Sequence, residues 1–144
     1  MRRTAPVLAA AALAAAPAAA SAPKALTYQG FSAQGHEISF KRSSAGVFSM
    51  KIGVRARCMN DQGQNQGDYD FTVQATDTKV DPVKDGRFNV VLPGNGSAPS
   101  TTIKGSFNKR GIARGTIKAS GRVNSGGSDL GTCTSGAVRW TAGP

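Results

Sequence analysis

Few residues in this chain have the type and spacing that catalysis requires. His36 is the only histidine, so a serine or cysteine nucleophile that needs a histidine base would have to use it. The serines offer no G-x-S-x-G motif, because residues 126–130 read GGSDL and fail at the last position. His36 lies in a turn between two predicted strands, where we expect a surface histidine without a catalytic role.

Eight acidic residues could supply the carboxylate pair of a glycoside hydrolase or the ligands of a calcium ion. Hydrolysis would pair Glu37 with one of the aspartates. Calcium would use Asn60, Asp61, Asp68 and Asp70, whose spacing matches no calcium-binding loop motif. Most aspartates lie in predicted turns, where they cap backbone groups. We therefore predict no catalytic residue, no cofactor and no metal site.

Positive charge is the clearest chemical signal, with 18 lysines and arginines and a formal net charge of +10. Two strand-like stretches, 48–58 and 113–123, alternate apolar and basic residues, so each strand places its basic side chains on one face. The candidate polyanion-binding residues are Lys51, Arg55, Arg57, Arg114, Lys118 and Arg122, which Lys41, Arg42, Lys104, Lys109 and Arg110 could extend.

If the two stretches share a sheet, that sheet presents a basic face to anionic wall polymer or acidic polysaccharide, with binding that weakens as salt rises. The alternative is that these cations only keep the sheet solvated and protect its edges. Aromatic platforms for base stacking are sparse, so we do not expect nucleic acid as a specific partner.

The first twenty residues have the pattern of a secretory signal peptide. A basic head, MRR, precedes an alanine-rich apolar run and a small-residue cleavage zone. The run is shorter than the roughly 20 apolar residues that span a bilayer. We predict a signal peptide at residues 1–20, one β domain at residues 21–144 and no transmembrane segment in the mature chain. Without Arg2 and Arg3, 16 basic residues face 8 acidic ones, a formal charge of +8.

Cys58 and Cys133 are the only cysteines. In a secreted domain of this size an even pair predicts a disulfide bond. The bond would support the secreted, extracytoplasmic location that the leader predicts.

Period-2 alternation and turn-forming clusters predict an all-β fold. We expect about eight strands in an antiparallel β-sandwich or flattened barrel with one disulfide. The predicted strands are Leu26–Ser32, Glu37–Arg42, Phe48–Cys58, Tyr69–Thr76, Arg87–Leu92, Thr101–Asn108, Ala113–Val123 and Gly136–Thr141. Cys133 and Trp140 are seven residues apart and would face opposite sides of one regular strand, so we predict a bulge near Ser135 and Gly136.

The mature chain resembles a group of small secreted β-rich proteins from high-GC soil bacteria. The resembling segments are YQG at 28–30, ISF at 38–40, the strand ending in Cys58, the GSF and ARGT pair at 105–107 and 113–116, and CTSG with VRWTA at 133–136 and 138–142. This resemblance implies the compartment, the disulfide and the β fold, and it implies no active site.

The leading hypothesis is a non-catalytic extracytoplasmic module that binds anionic cell-envelope polymer through a basic sheet face. The second is a carbohydrate-binding or adhesion module that uses the polar loop Asn60–Asp68. A small secreted hydrolase is the third.

Overall fold

The computed structural model describes residues 24–75 and 79–144, and the predicted signal peptide lies outside this range. The described chain contains eight antiparallel strands and no helix, which confirms the predicted all-β class. The strands are β1 Leu26–Ser32, β2 Glu37–Ser43, β3 Gly46–Met59, β4 Asn65–Gln74, β5 Arg87–Leu92, β6 Ser100–Phe107, β7 Ala113–Ser125 and β8 Ser128–Gly143.

Two strands begin at least four residues earlier than predicted. β4 starts at Asn65 rather than Tyr69, and β8 starts at Ser128 rather than Gly136. Both added segments are polar or glycine-rich and show little apolar alternation, so their sequence does not distinguish them from loops. They become strands because other strands offer them backbone partners: residues 65–68 pair with the end of β3, and residues 128–134 pair with β7 and, at Thr132–Thr134, also with β3.

The strands form one sheet in the order β4-β3-β2-β1-β8-β7-β6-β5. β3 and β8 are about twice as long as β1 and β2. One half of β3 pairs with β2, and beyond the end of β2 the residues Arg57–Met59 pair directly with Thr132–Thr134 of β8. The sheet therefore folds back on itself in a sandwich-like arrangement, and its concave side encloses the core.

The predicted disulfide between Cys58 and Cys133 is confirmed. The two residues are directly opposite each other in the β3–β8 pairing, with Cα atoms 3.9 Å apart. Both side chains are fully buried. The bond joins the two long strands at the place where the sheet closes on itself.

The predicted bulge is also present. β7 and β8 pair regularly up to Ala119 opposite Gly136, and pairing resumes at Ser120 opposite Thr134, so Ser135 is the extra residue. Gly136 has φ of +65°, and the Ser135 hydroxyl accepts a hydrogen bond from the Ala119 amide at 2.9 Å. The side chains on either side of the bulge, Cys133 and Trp140, consequently both face the core.

Aromatic rings fill the centre of the core. Tyr28 stacks on Phe40 with ring centroids 4.9 Å apart, and Trp140 meets Phe40 edge-on at 6.0 Å. Phe88 covers Gly105 of the neighbouring strand so closely that a Cβ atom there would lie 2.2 Å from the ring. With inward positions occupied in this way, the intervening side chains of β5–β8 must point outward.

Candidate polyanion-binding face

The structure places five of the six predicted basic residues on two surfaces, and the sixth, Lys51, lies on β3 outside both. Arg55, Arg57 and Arg122 bind carboxylates. Lys51, Arg114 and Lys118 are exposed and make no ion pair within the described residues. β3 and β7 are not neighbours, because β8 lies between them where β3 meets β8.

The first surface, which we call the paired patch, consists of Arg55, Arg57 and Arg122 with the aspartates Asp61, Asp68, Asp70 and Asp129. Arg55 forms two hydrogen bonds to Asp70, at 2.7 and 3.1 Å, directly across the β3–β4 pairing. Arg57 binds Asp68 in the same way at 3.0 Å. The hydrogen bond from each arginine lowers the pKa of its aspartate below the ordinary value.

Arg122 joins the turn after β3 to the start of β8. Its guanidinium binds both oxygens of Asp61 at 2.8 and 3.0 Å and also binds Asp129. Hydrogen bonds from Arg122 hold the pKa of both carboxyls below their usual range, and both carboxylates raise the pKa of Arg122. Three arginines facing four aspartates leave the paired patch without excess positive charge.

The second surface, which we call the cation face, consists of the outward positions of β5–β8. Arg114 and Lys118 lie here with three basic residues from neighbouring strands, Arg87, Lys104 and Arg139, and all five are exposed. The rows of cross-strand partners are Arg87–Ser106–Arg114–Thr141, Asn89–Lys104–Thr116–Arg139 and Val91–Thr102–Lys118–Ala137.

The five cations form a checkerboard on the cation face. Within β5–β8 each has only neutral residues directly opposite it: Ser106 separates Arg87 from Arg114, and Thr116 separates Lys104 from Arg139. Outside these strands, Arg87 also pairs with Lys84 of the preceding turn. Cations on adjacent strands are diagonal neighbours, about 7–8 Å apart at their Cα atoms. This spacing avoids the destabilisation caused by like charges directly opposite each other and keeps the positive charge dense.

None of the twelve positions of the cation face carries a carboxylate. Among the described acidic residues, Asp85 lies in the turn before β5 and Glu37 lies on β2, beyond β1. Four of the neutral positions are serine or threonine, whose hydroxyls donate hydrogen bonds to an anion. An unpaired array of this kind creates a local positive potential that concentrates anions.

The predicted extensions of the basic surface occupy different places. Lys104 belongs to the cation face, and Lys109 and Arg110 lie at the tip of the adjoining β6–β7 turn. Arg42 stacks on the Phe107 ring at 3.8 Å. Lys41 is exposed on β2, away from the cation face.

The polar loop proposed for carbohydrate binding is ordered by its own side chains. Asn60 accepts backbone hydrogen bonds from Gln62 and Gln64 and donates to the Gln64 side chain at 2.8 Å. The second half of the loop, from Asn65, is strand β4. Asn60 and Asp61 therefore have partners inside the molecule.

Of the residues considered for chemistry, His36 and Asp70 lie side by side. His36 is half-buried above Gly53, with Nε2 3.1 Å from Asp70 Oδ1. Within the described residues, no three histidine, cysteine or acidic side chains come close enough to hold a metal ion. No helix in the same part of the chain has the length and apolarity needed to cross a membrane.

Neither a protein-family model, nor a curated protein, nor a solved structure matches this chain. The resemblance to secreted proteins of high-GC bacteria stays a prediction.

Proposed function

We propose that this protein is a non-catalytic extracytoplasmic binding module whose cation face holds an anionic polymer of the cell envelope. The observation that carries the proposal is the checkerboard of Arg87, Lys104, Arg114, Lys118 and Arg139 with no carboxylate among its twelve positions. The buried disulfide supports an oxidising compartment, which agrees with the predicted leader.

A polymer fits this face better than a small anion does. Small ligands bind in concave pockets that enclose most of their surface, whereas the cations here stand on the open side of a sheet. A single exposed ion pair contributes between about 0 and 1 kcal/mol. Useful affinity therefore requires a ligand that contacts several cations at once and releases their counterions together.

Charge reversal on the cation face tests the proposal. The double variant Arg114→Glu, Lys118→Glu should lose retention on immobilised anionic wall polymer at low salt. The matched control is Lys24→Glu, Lys41→Glu, which changes the net charge equally at exposed lysines outside the face. The control should elute at only slightly lower salt than the unmodified protein. Equal losses in both variants, or no loss in either, would refute a specific binding face.

A further inference from the structure

We infer that the anionic polymer is an acidic polysaccharide, and that one of its sugar rings stacks on Phe31 beside the cation face. This inference rests on the proposed function and adds a second binding element to it. Phe31 lies on β1 with 61% of its surface exposed, the largest exposure of any large apolar side chain in the described chain.

Phe31 borders the cation face directly. It lies opposite Thr141 in the β1–β8 pairing, so it continues the row that contains Arg114. Arg139 precedes Thr141 by two positions on the same strand and is therefore a diagonal neighbour of Phe31, about 7–8 Å away at the Cα atoms. A chain lying across Lys118 and Arg139 would reach the Phe31 ring without changing direction.

A groove on the side of Phe31 away from the cation face is lined by polar side chains that have no hydrogen-bond partner within the described residues. It has a volume of about 280 Å³ and is lined by Phe31, Gln29, Glu37, Ser39 and Lys51, together with Gly30 and Ile38. Glu37, Ser39 and Lys51 also line an adjoining groove of about 320 Å³ that extends to His36 and Thr72. The side chains of Gln29, Glu37, Ser39 and Lys51 make no hydrogen bond or ion pair within the described residues.

This combination of groups matches the two sides of a sugar ring. The negative face of a phenyl ring attracts the C–H groups on one face of a pyranose. The amide of Gln29, the hydroxyl of Ser39 and the ammonium of Lys51 can bind the hydroxyls at the ring edge. Because Gln29 and Phe31 point to the same side of β1, and Ser39 and Glu37 lie opposite them on β2, these groups surround one site.

Glu37 indicates which part of the polymer occupies the groove. Its carboxylate repels an anion, so a polymer with charge on every unit, such as polyphosphate, gains nothing from entering. A carboxylate does accept hydrogen bonds from sugar hydroxyls. A polysaccharide can place its charged groups over the cation face and a hydroxyl-bearing ring over Phe31.

The test compares binding of hyaluronate, in which charged and uncharged sugar units alternate, with binding of inorganic polyphosphate at equal ionic strength. Phe31→Ala should weaken binding of hyaluronate by about 3- to 10-fold, the range of an aromatic stacking contact, and leave polyphosphate binding unchanged. Phe31→Leu, which keeps apolar surface without a ring, should lose as much, whereas Phe31→Trp should retain affinity. Leu26→Ala is the control, because it removes another exposed apolar side chain of β1.

The outcomes separate this inference from the proposed function. Equal effects of Phe31→Ala on both polymers, or no effect on either, would overturn the sugar site while binding through the cation face stands. A protein that binds neither polymer at low salt would overturn both proposals.

Discussion

The salt dependence of binding follows directly from the geometry of the cation face. Each cation that neutralises a charge of the ligand releases counterions, which contributes about −0.7 to −0.9 to the slope of log K against log salt in nucleic acid systems. Five engaged cations therefore give a slope between about −3.5 and −4.5. Raising sodium chloride from about 50 to 200 mM should weaken polyphosphate binding by roughly 100- to 500-fold.

The triple variant Lys104→Gln, Arg114→Gln, Lys118→Gln leaves two cations on the face. Its slope should fall to about −1.5, so that the same increase in salt weakens binding only about 10-fold. Arg55→Gln, Arg57→Gln is the control, because both arginines are already bound to aspartates and its slope should match that of the unmodified protein. Fluorescence anisotropy with labelled polyphosphate measures the slopes of the unmodified protein, the triple variant and the control. A slope that is unchanged in the triple variant would refute the assignment of the face.

Three further predictions concern the disulfide, the β8 bulge and the paired patch, and urea unfolding measures the first and the third while Trp140 fluorescence measures the second. Replacing Cys58 and Cys133 with alanine should lower the free energy of unfolding by about 4 kcal/mol, the chain-entropy value for a 75-residue loop. If dithiothreitol leaves the urea midpoint of the unmodified protein unchanged, this prediction is wrong. Deleting Ser135 should remove the bulge and turn Trp140 toward solvent, so a variant with native Trp140 fluorescence would show that the bulge does not set the register. The four aspartates of the paired patch have lowered pKa values in the folded state. Their stabilising contribution is therefore complete above their unfolded pKa of about 3.9, and it is lost as pH falls through the folded pKa. Unfolding free energy should decrease below about pH 4, and this loss should be smaller in Arg122→Gln.

The fold was largely predictable from local patterns. The alternation in β3 and β7 identified their inward rows, and the turn before Gly111 identified the β6–β7 hairpin, where Gly111 has φ of +78°. The disulfide followed from the cysteine count and the predicted compartment. The bulge at Ser135 followed from the requirement that Cys133 and Trp140 both be buried.

The distribution of charge was less predictable because it depends on which strands become neighbours. Arg55 and Arg57 alternate outward as expected, but their partners Asp70 and Asp68 are brought opposite them by the β3–β4 register. No local pattern specifies that register. Arg87 and Arg139 lie on separate strands, and they join Arg114 on one face only because β5–β8 are consecutive in the sheet.

The exposed ring of Phe31 was missed for a related reason. In sequence it belongs to an ordinary short strand. Only its spacing distinguishes it from the inward aromatic residue Tyr28, because residues three apart point to opposite faces of a strand. Its significance arises from the β1–β8 pairing, which places it beside Thr141 at the margin of the cation face. That pairing joins the first and last strands of the domain.

Residue-resolved mapping of polyanion binding tests the central claim most directly. Backbone amide chemical shifts recorded during titration with polyphosphate should change in a saturable manner, with the largest changes at the outward positions of β5–β8 around Lys104, Arg114 and Arg139. Shifts centred instead on Arg55 and Arg57, or no saturable shift at low salt, would contradict the assignment of the cation face as the binding surface.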